Sequence, residues 1–189
     1  MNRTHSTMTD WGLRQVGIET KATILDVGCG GGRALRQLAA MAPEGVVHGI
    51  DYSAASVAAS RATNAREIER GRVQIQLGSV AALPYPDRTF DVVTAVETHY
   101  YWPDLSANVR EVLRVLKPGG TFALIAETYR GGRFRALYAV VMRLLRAAYL
   151  TDAEHRNLLM QAGFVEVATL HAPGKGWICA VGRRPLPAA

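Results

Sequence analysis

Cysteine is scarce in this chain: there are two, Cys29 and Cys179, far apart and outside any C-x-x-C or Cys/His spacing. That excludes a thiolate metal cluster and a disulfide framework, and makes a reducing, cytoplasmic setting the expectation. No apolar run approaches the ~18 residues that a membrane-crossing helix needs. The opening Met1–Ser6 lacks the basic-then-apolar layout of an export signal. No internal repeat or low-complexity tract is visible. There are 18 glycines, but none is followed by Lys-Ser or Lys-Thr, so the G-x-x-x-x-G-K-[ST] phosphate loop is absent.

What remains is a chain of 189 residues, the size of one domain with a substantial core. Its 49% hydrophobic and 20% charged residues are ordinary for a globular protein. The net charge of +6 is concentrated late, with 12 basic against 7 acidic residues from position 95 onward. That permits an anionic partner without requiring one.

The most informative stretch is Thr23-Ile24-Leu25-Asp26-Val27-Gly28-Cys29-Gly30-Gly31-Gly32-Arg33-Ala34-Leu35. A short apolar run closes with an acid, breaks into glycines, then opens a helical pattern. Glycines let backbone approach a ligand closely, and the helix behind them offers free N–H groups. This predicts a nucleotide-type site at the carboxyl end of a first parallel strand. The dinucleotide fingerprint G-x-G-x-x-G would need a third glycine at position 33, which is Arg33, so the spacing is G-x-G-x-G. No Tyr-x-x-x-Lys pair accompanies it, which disfavours a nicotinamide-dependent oxidoreductase.

Asp26-Val27-Gly28-Cys29-Gly30-Gly31-Gly32 resembles motif I of the class I S-adenosylmethionine (SAM)-dependent methyltransferases. Three further features, in order, strengthen the resemblance to the small ubiquinone/menaquinone-methyltransferase-like (type 11) group. Asp51 closes a second strand about 20 residues on, where a carboxylate accepts ribose hydroxyls. Leu83-Pro84-Tyr85-Pro86-Asp87 then leads into Phe90-Asp91-Val92-Val93, and Leu116-Lys117-Pro118-Gly119-Gly120 forms a helix-exit turn. The fold this implies is α/β and Rossmann-like: a seven-stranded, mostly parallel sheet with an antiparallel last strand and helices on both faces. Residues 20–184 would form the methyltransferase domain, behind an N-terminal lid segment, 1–19.

Local patterns place the elements. Strands are predicted at Thr23–Val27, Val46–Ile50, Val73–Leu77, Phe90–Val96, Thr121–Ala126, Val165–His171 and Gly176–Gly182. Helices are predicted from Leu35 to Met41, over Ala54–Arg70 behind a Ser53 cap, from a Ser106 or Asp104 cap through Leu116, and over Ala153–Ala162. Thr9 or Asp10 is expected to cap a small helix carrying Trp11, either a lid aromatic or a residue packed on the sheet. Residues 128–150 hold five arginines and no acid, with apolar residues at helical spacing. They read as a basic amphipathic helix, either a solvated core helix or a cap meeting an anionic or membrane-borne substrate.

The resemblance implies SAM as cofactor, leaving as S-adenosylhomocysteine, and no metal. It points to Asp26, Gly28, Cys29, Gly30, Asp51, Tyr52, Ser79, Val80 and Glu97 as cofactor residues, with Tyr52 beside the adenine. Ser79 departs from the family, which has an acid there to take the adenine amino group. The fourth strand runs into Glu97-Thr98-His99-Tyr100-Tyr101-Trp102-Pro103-Asp104. Three consecutive aromatics can wall a cationic sulfonium or an apolar substrate. His99 is the candidate general base, with Tyr100 beside it, although a lone histidine is more often structural. The N-P-P-[YF] tetrapeptide of amide and exocyclic-nitrogen methylation is missing, which disfavours nucleic acid. The expected acceptor is a small, partly apolar metabolite that is quinone-, lipid- or natural-product-like. The rivals are a non-catalytic SAM-binding or interaction protein, or an RNA methyltransferase using the basic face. The sequence leaves the oligomeric state open.

Overall fold

A computed structural model describes residues 3–127 and 147–187, together with the isolated positions 140 and 144. The predicted basic helix at 128–150 therefore falls largely outside the described residues. The elements run α1 (Arg3–Leu13), β1 (Thr23–Val27), α2 (Arg33–Met41), β2 (Val46–Asp51), α3 (Ala54–Thr63), α4 (Ala65–Glu69), β3 (Val73–Leu77) and β4 (Phe90–Val96). A 3₁₀ turn (His99–Tyr101), α5 (Leu105–Val115), β5 (Leu116–Ala126), α6 (Asp152–Ala162), β6 (Val165–His171) and β7 (Ile178–Arg183) follow.

One seven-stranded sheet orders them β3-β2-β1-β4-β5-β7-β6. Strands β1 to β5 pair in parallel, and β7 runs antiparallel to both β5 and β6. Alternation along each strand feeds two cores. Leu25, Val93, Phe122 and Leu124 pack with Val109 and Val112 of α5 and Leu159 of α6. Ile24, Val47 and Ile125 pack with Met8 and Leu13 of α1 and Leu35 and Leu38 of α2. The chain winds outward from β1 to β3, then returns to β4 on the other side of β1. That reversal opens a crevice at the carboxyl ends of the strands, where open α/β sheets bind ligands. No helix among the described residues is long and apolar enough to cross a membrane.

Four local expectations are corrected. Thr9 and Asp10 are not caps but lie inside α1, which begins at Arg3; Asp10 instead accepts a hydrogen bond from the Gln37 side chain. Trp11 packs against Trp177, ring centroids 6.1 Å apart. The helix expected over Ala54–Arg70 breaks at Asn64, whose amide donates to the Gly32 carbonyl at 2.8 Å and to the Ser60 carbonyl at 2.9 Å. Helix α5 stops at Val115, and β5 begins at Leu116 because Leu116 already pairs with Phe90 before the register shifts. The last strand is Ile178–Arg183, two residues later than the Gly176 start read from the sequence. Of the two cap options for α5, Asp104 does the capping and accepts from the Ala107 N–H at 2.9 Å. Ser53 caps α3, as expected.

Candidate cofactor site

The loop after β1 is built from three left-handed glycines, Gly28 (φ 76°), Gly30 (φ 49°) and Gly32 (φ 78°). Each stands where a side chain would be strained. The N–H groups of Gly28 and Cys29 both donate to the Ile50 carbonyl, at 2.8 and 3.0 Å, which ties the loop to the end of β2. A side chain at Gly28 would strike Thr98, and one at Gly32 would strike Ser60 and Asn64. At Gly30 and Gly31, by contrast, no described residue comes within 4 Å of an added β-carbon. The loop is braced from behind and open in front, which is the shape of a cradle.

Asp51 reaches into this loop from the end of β2. Its Oδ2 accepts the Gly30 N–H at 2.9 Å, and its Oδ1 accepts the Ser53 N–H at 2.9 Å. Each carboxylate oxygen keeps a further lone pair for a ligand hydroxyl. A cavity of about 290 Å³ opens beside it. Val27, Gly28, Ile50, Asp51 and Tyr52 line it from the ends of β1 and β2, and Gly78, Ser79 and Val80 line it from beyond β3. Thr98, Tyr101, Trp102 and Pro103 complete the lining from the turn after β4. Tyr52 is 79% exposed over the opening, free to fold onto a flat ligand. Ser79 Oγ accepts the Ala81 N–H at 3.2 Å, which leaves its O–H to donate. Two larger depressions, of about 430 and 470 Å³, lie between α2 and α4 and are ringed by Arg36, Arg66, Arg70 and Arg72. They contain none of the glycine loop, so they are separate from this crevice.

Of the nine residues predicted for the cofactor, Gly28, Asp51, Tyr52, Ser79 and Val80 line the cavity, and Gly30 joins it through Asp51. Asp26 and Cys29 stand behind the loop. Asp26 is buried and accepts the Thr94 hydroxyl at 2.7 Å; burial pushes its carboxyl up to about 6, against the pull of that hydrogen bond. Burial pushes the Cys29 thiol up to about 12, which makes it a packing group and not a nucleophile. Glu97 takes the left-handed region at φ 58°, costly for a side chain that is not glycine. Its carboxylate pins the turn by accepting the Tyr100 hydroxyl at 3.1 Å and the Glu127 N–H.

The structure places His99 and Tyr100 inward. His99 is fully buried, its ring 4.2 Å from that of Tyr100 and 5.4 Å from that of His155 on α6. Among the described residues neither His99 ring nitrogen has a hydrogen-bond partner, and no histidine lines the cavity. The residues the sequence did not single out are Thr98 and Asn64. Asn64 gave no signal, because its partner, the Gly32 carbonyl, is distant in sequence. Thr98 could have been noticed from its spacing to Trp102, which the turn converts into a hydrogen bond.

The buried histidines carry a pH prediction. Burial and His155 hold His99 well below the usual 6.5. Burial lowers His155 too, against the Thr151 carbonyl, Asp152 and Glu154. The unfolded chain thus takes up these protons more readily than the folded one. Stability from this pair is complete above pH 6.5 and is lost as the pH falls below it, toward the folded values. Asp26 works in the opposite direction, losing its contribution as the pH rises through about 6. The expected result is a melting temperature that drops between pH 7 and 5.5, with a smaller drop in His99→Phe/His155→Phe. Equal slopes for the two proteins, measured by thermal melts at constant ionic strength, would show that the pair carries none of it.

The profile of the family described as "Methyltransferase domain" matches residues 25–124, from β1 through most of β5, and so includes the loop, Asp51 and the aromatic turn. The chain belongs to the class I SAM-dependent methyltransferases. Among its relatives, an uncharacterized methyltransferase of Bacillus subtilis (strain 168), YdaC, is 31% identical over 123 residues, covering 65% of this chain and 66% of that protein. A demethylmenaquinone methyltransferase of Symbiobacterium thermophilum is 37% identical over 112 residues, covering 59% of this chain and 45% of that protein. The chain thus spans between about half and two thirds of these relatives' length. In structure, it is similar to the putative methyltransferase in complex with the Haloferax volcanii Trm112 methyltransferase activator. That similarity has a TM-score of 0.82 at 23% identity, over 96% of this chain and 91% of that one. The methyltransferase fold is therefore shared across the whole described sheet.

Proposed function

We propose that this methyltransferase binds SAM in the crevice between the glycine loop and the aromatic turn, and methylates a small, partly apolar metabolite. The observation that carries this is Asp51. A single carboxylate braces the Gly30 N–H and faces a cavity whose other walls are Tyr52, Ser79, Val80 and Trp102. The spare lone pairs of Asp51 suit two vicinal hydroxyls, and the open space at Gly30 and Gly31 suits a chain that must approach the backbone closely. The O–H of Ser79 and the backbone at Val80 are left for the base.

SAM supplies an electrophilic methyl carbon on a sulfonium centre. The chain's own residues bind, orient and exclude water, which is most of what a displacement with a neutral leaving group needs. Tyr101 is 60% exposed at the cavity mouth and offers a ring face to a cation or an apolar acceptor. With His99 buried and absent from the cavity lining, the arrangement best serves an acceptor that arrives already nucleophilic, such as an activated carbon or an ionised oxygen. A quinone-, lipid- or natural-product-like acceptor fits this description, and the demethylmenaquinone methyltransferase among the relatives supports it.

The test is transfer from methyl-tritiated SAM into a cell extract, followed by separation into protein, nucleic acid, lipid and small-molecule fractions. Label in the lipid or small-molecule fraction is expected. Label confined to nucleic acid would overturn the acceptor class. Binding of SAM without label in any fraction would favour a non-catalytic SAM-binding role.

A further inference from the structure

Thr98 opens the aromatic turn at the carboxyl end of β4 and stands at the N-cap position of the 3₁₀ turn, yet its side chain makes no cap hydrogen bond. It does two other things. Its methyl and hydroxyl fill the space in front of Gly28, so that a β-carbon on residue 28 would lie 2.1 Å from Thr98 Oγ1. The same Oγ1 accepts the indole N–H of Trp102 at 3.3 Å. The turn makes this contact possible: the Tyr101 N–H donates to the Thr98 carbonyl at 3.1 Å and the Trp102 N–H to that of His99 at 3.2 Å, folding Trp102 back over Thr98.

Trp102 is held from two other directions. Its ring lies nearly parallel to that of Phe122, centroids 6.5 Å apart and planes at 20°. Pro103 follows it and restricts its backbone to the extended region, where it is found (φ −70°, ψ 128°). The indole is 8% exposed, and it lines the same cavity as Tyr52, Ser79 and Val80. A buried indole N–H seeks an acceptor, and Thr98 supplies one.

We propose that Thr98 is a positioning residue for the cofactor, acting through Trp102. It locks the indole as the fixed wall against which the adenine lies, while the exposed Tyr52 covers the other face. The proposal rests on the SAM reading of this cavity and adds the element that shapes its base end. It also gives a physical reason why an uncharged Ser79 suffices there. A preset aromatic wall supplies through stacking what a charged acceptor would supply through a hydrogen bond, without an ordering cost on binding. Losing the acceptor frees the indole to rotate its N–H toward water, and the cavity that Trp102 lines is open space beside it.

The experiment measures SAM affinity by calorimetry together with ligand-induced change in tryptophan emission, for the wild type, Thr98→Val, Thr98→Ser, Trp102→Phe and Thr98→Val/Trp102→Phe. Valine keeps the shape of threonine without the acceptor, and serine keeps the acceptor without the methyl. Thr98→Val is expected to weaken SAM binding by about tenfold and to diminish the emission change, with Thr98→Ser restoring both to within about threefold. Phenylalanine at 102 has no N–H to satisfy, so Thr98→Val should have no further effect in that background. Wild-type affinity in Thr98→Val overturns the proposal, as does equal loss in Thr98→Ser and Thr98→Val, or an undiminished effect of Thr98→Val beside Trp102→Phe. If Thr98→Val does not fold, the comparison of Thr98→Ser with the wild type, alone and beside Trp102→Phe, decides: affinity lost more than tenfold in Thr98→Ser overturns it. A wild-type chain that binds no SAM, read before any variant, would remove the cofactor reading itself.

Discussion

Gly28→Ala is expected to lose at least about a hundredfold in SAM affinity and roughly 5–15 °C in melting temperature. Two costs coincide at this position. The backbone is left-handed, at φ 76°, which costs an L-residue about 1–2 kcal/mol. The new β-carbon would also fall 2.1 Å from Thr98 Oγ1 and 2.7 Å from Thr98 Cβ, and overpacking of this kind costs about 1–3 kcal/mol. Relief requires either the loop or Thr98 to move, and each is part of the cavity wall. Gly31→Ala is the matched control for the fold. Its backbone is not left-handed and no described residue lies within 4 Å of the added carbon, so its melting temperature should match the wild type. Thermal melts and calorimetry on the two variants would settle the point. Wild-type behaviour of Gly28→Ala in both would mean that the loop is not built as described.

The second large effect concerns Asp51. Asp51→Ala is expected to weaken SAM binding by at least about tenfold, through the loss of charge-assisted hydrogen bonds to two ligand hydroxyls. The structure adds a second source of loss. The same carboxylate holds the N–H groups of Gly30 and Ser53, each at 2.9 Å, and is nearly buried at 7% exposure. Removing it leaves two loop donors without an acceptor, so the loop should loosen before any ligand arrives. Asp51→Asn separates shape from charge. An amide has one acceptor oxygen where two N–H groups point, so one of them would meet an NH₂ group. Asparagine should therefore recover little of the affinity. Calorimetry showing unchanged affinity in either variant would sink the assignment of Asp51 to the ribose.

Much of this architecture was legible before any coordinates. The strands Thr23–Val27, Val73–Leu77 and Phe90–Val96 occur with the limits that apolar patterning and flanking turn residues predict. The glycine loop was legible for a stronger reason: three of its glycines need conformations that other residues avoid. What was not legible depends on partners distant in sequence. The break at Asn64 falls in an alanine-rich stretch with no proline or glycine, and is made by a hydrogen bond to Gly32. The orientation of the aromatic turn was hidden in a similar way. Composition alone shows that Glu97–Asp104 is chemically loaded, but not which of its side chains faces the crevice. Three residues per turn bring positions 98 and 101 to the same side. Thr98 and Tyr101 accordingly face the cavity, while His99 and Tyr100 turn into the core.

The order of the sheet has a consequence for how the chain is made. Of the described strands of this sheet, β7 is made after the other six, yet its place is interior, between β5 and β6. Until it arrives, β6 has no neighbour to pair with, and β5 presents an open row of backbone donors and acceptors. Such an edge invites pairing with other chains. The nascent protein therefore carries its sticking point until the final strand slots home, and that one insertion converts two unprotected strands into the finished sheet.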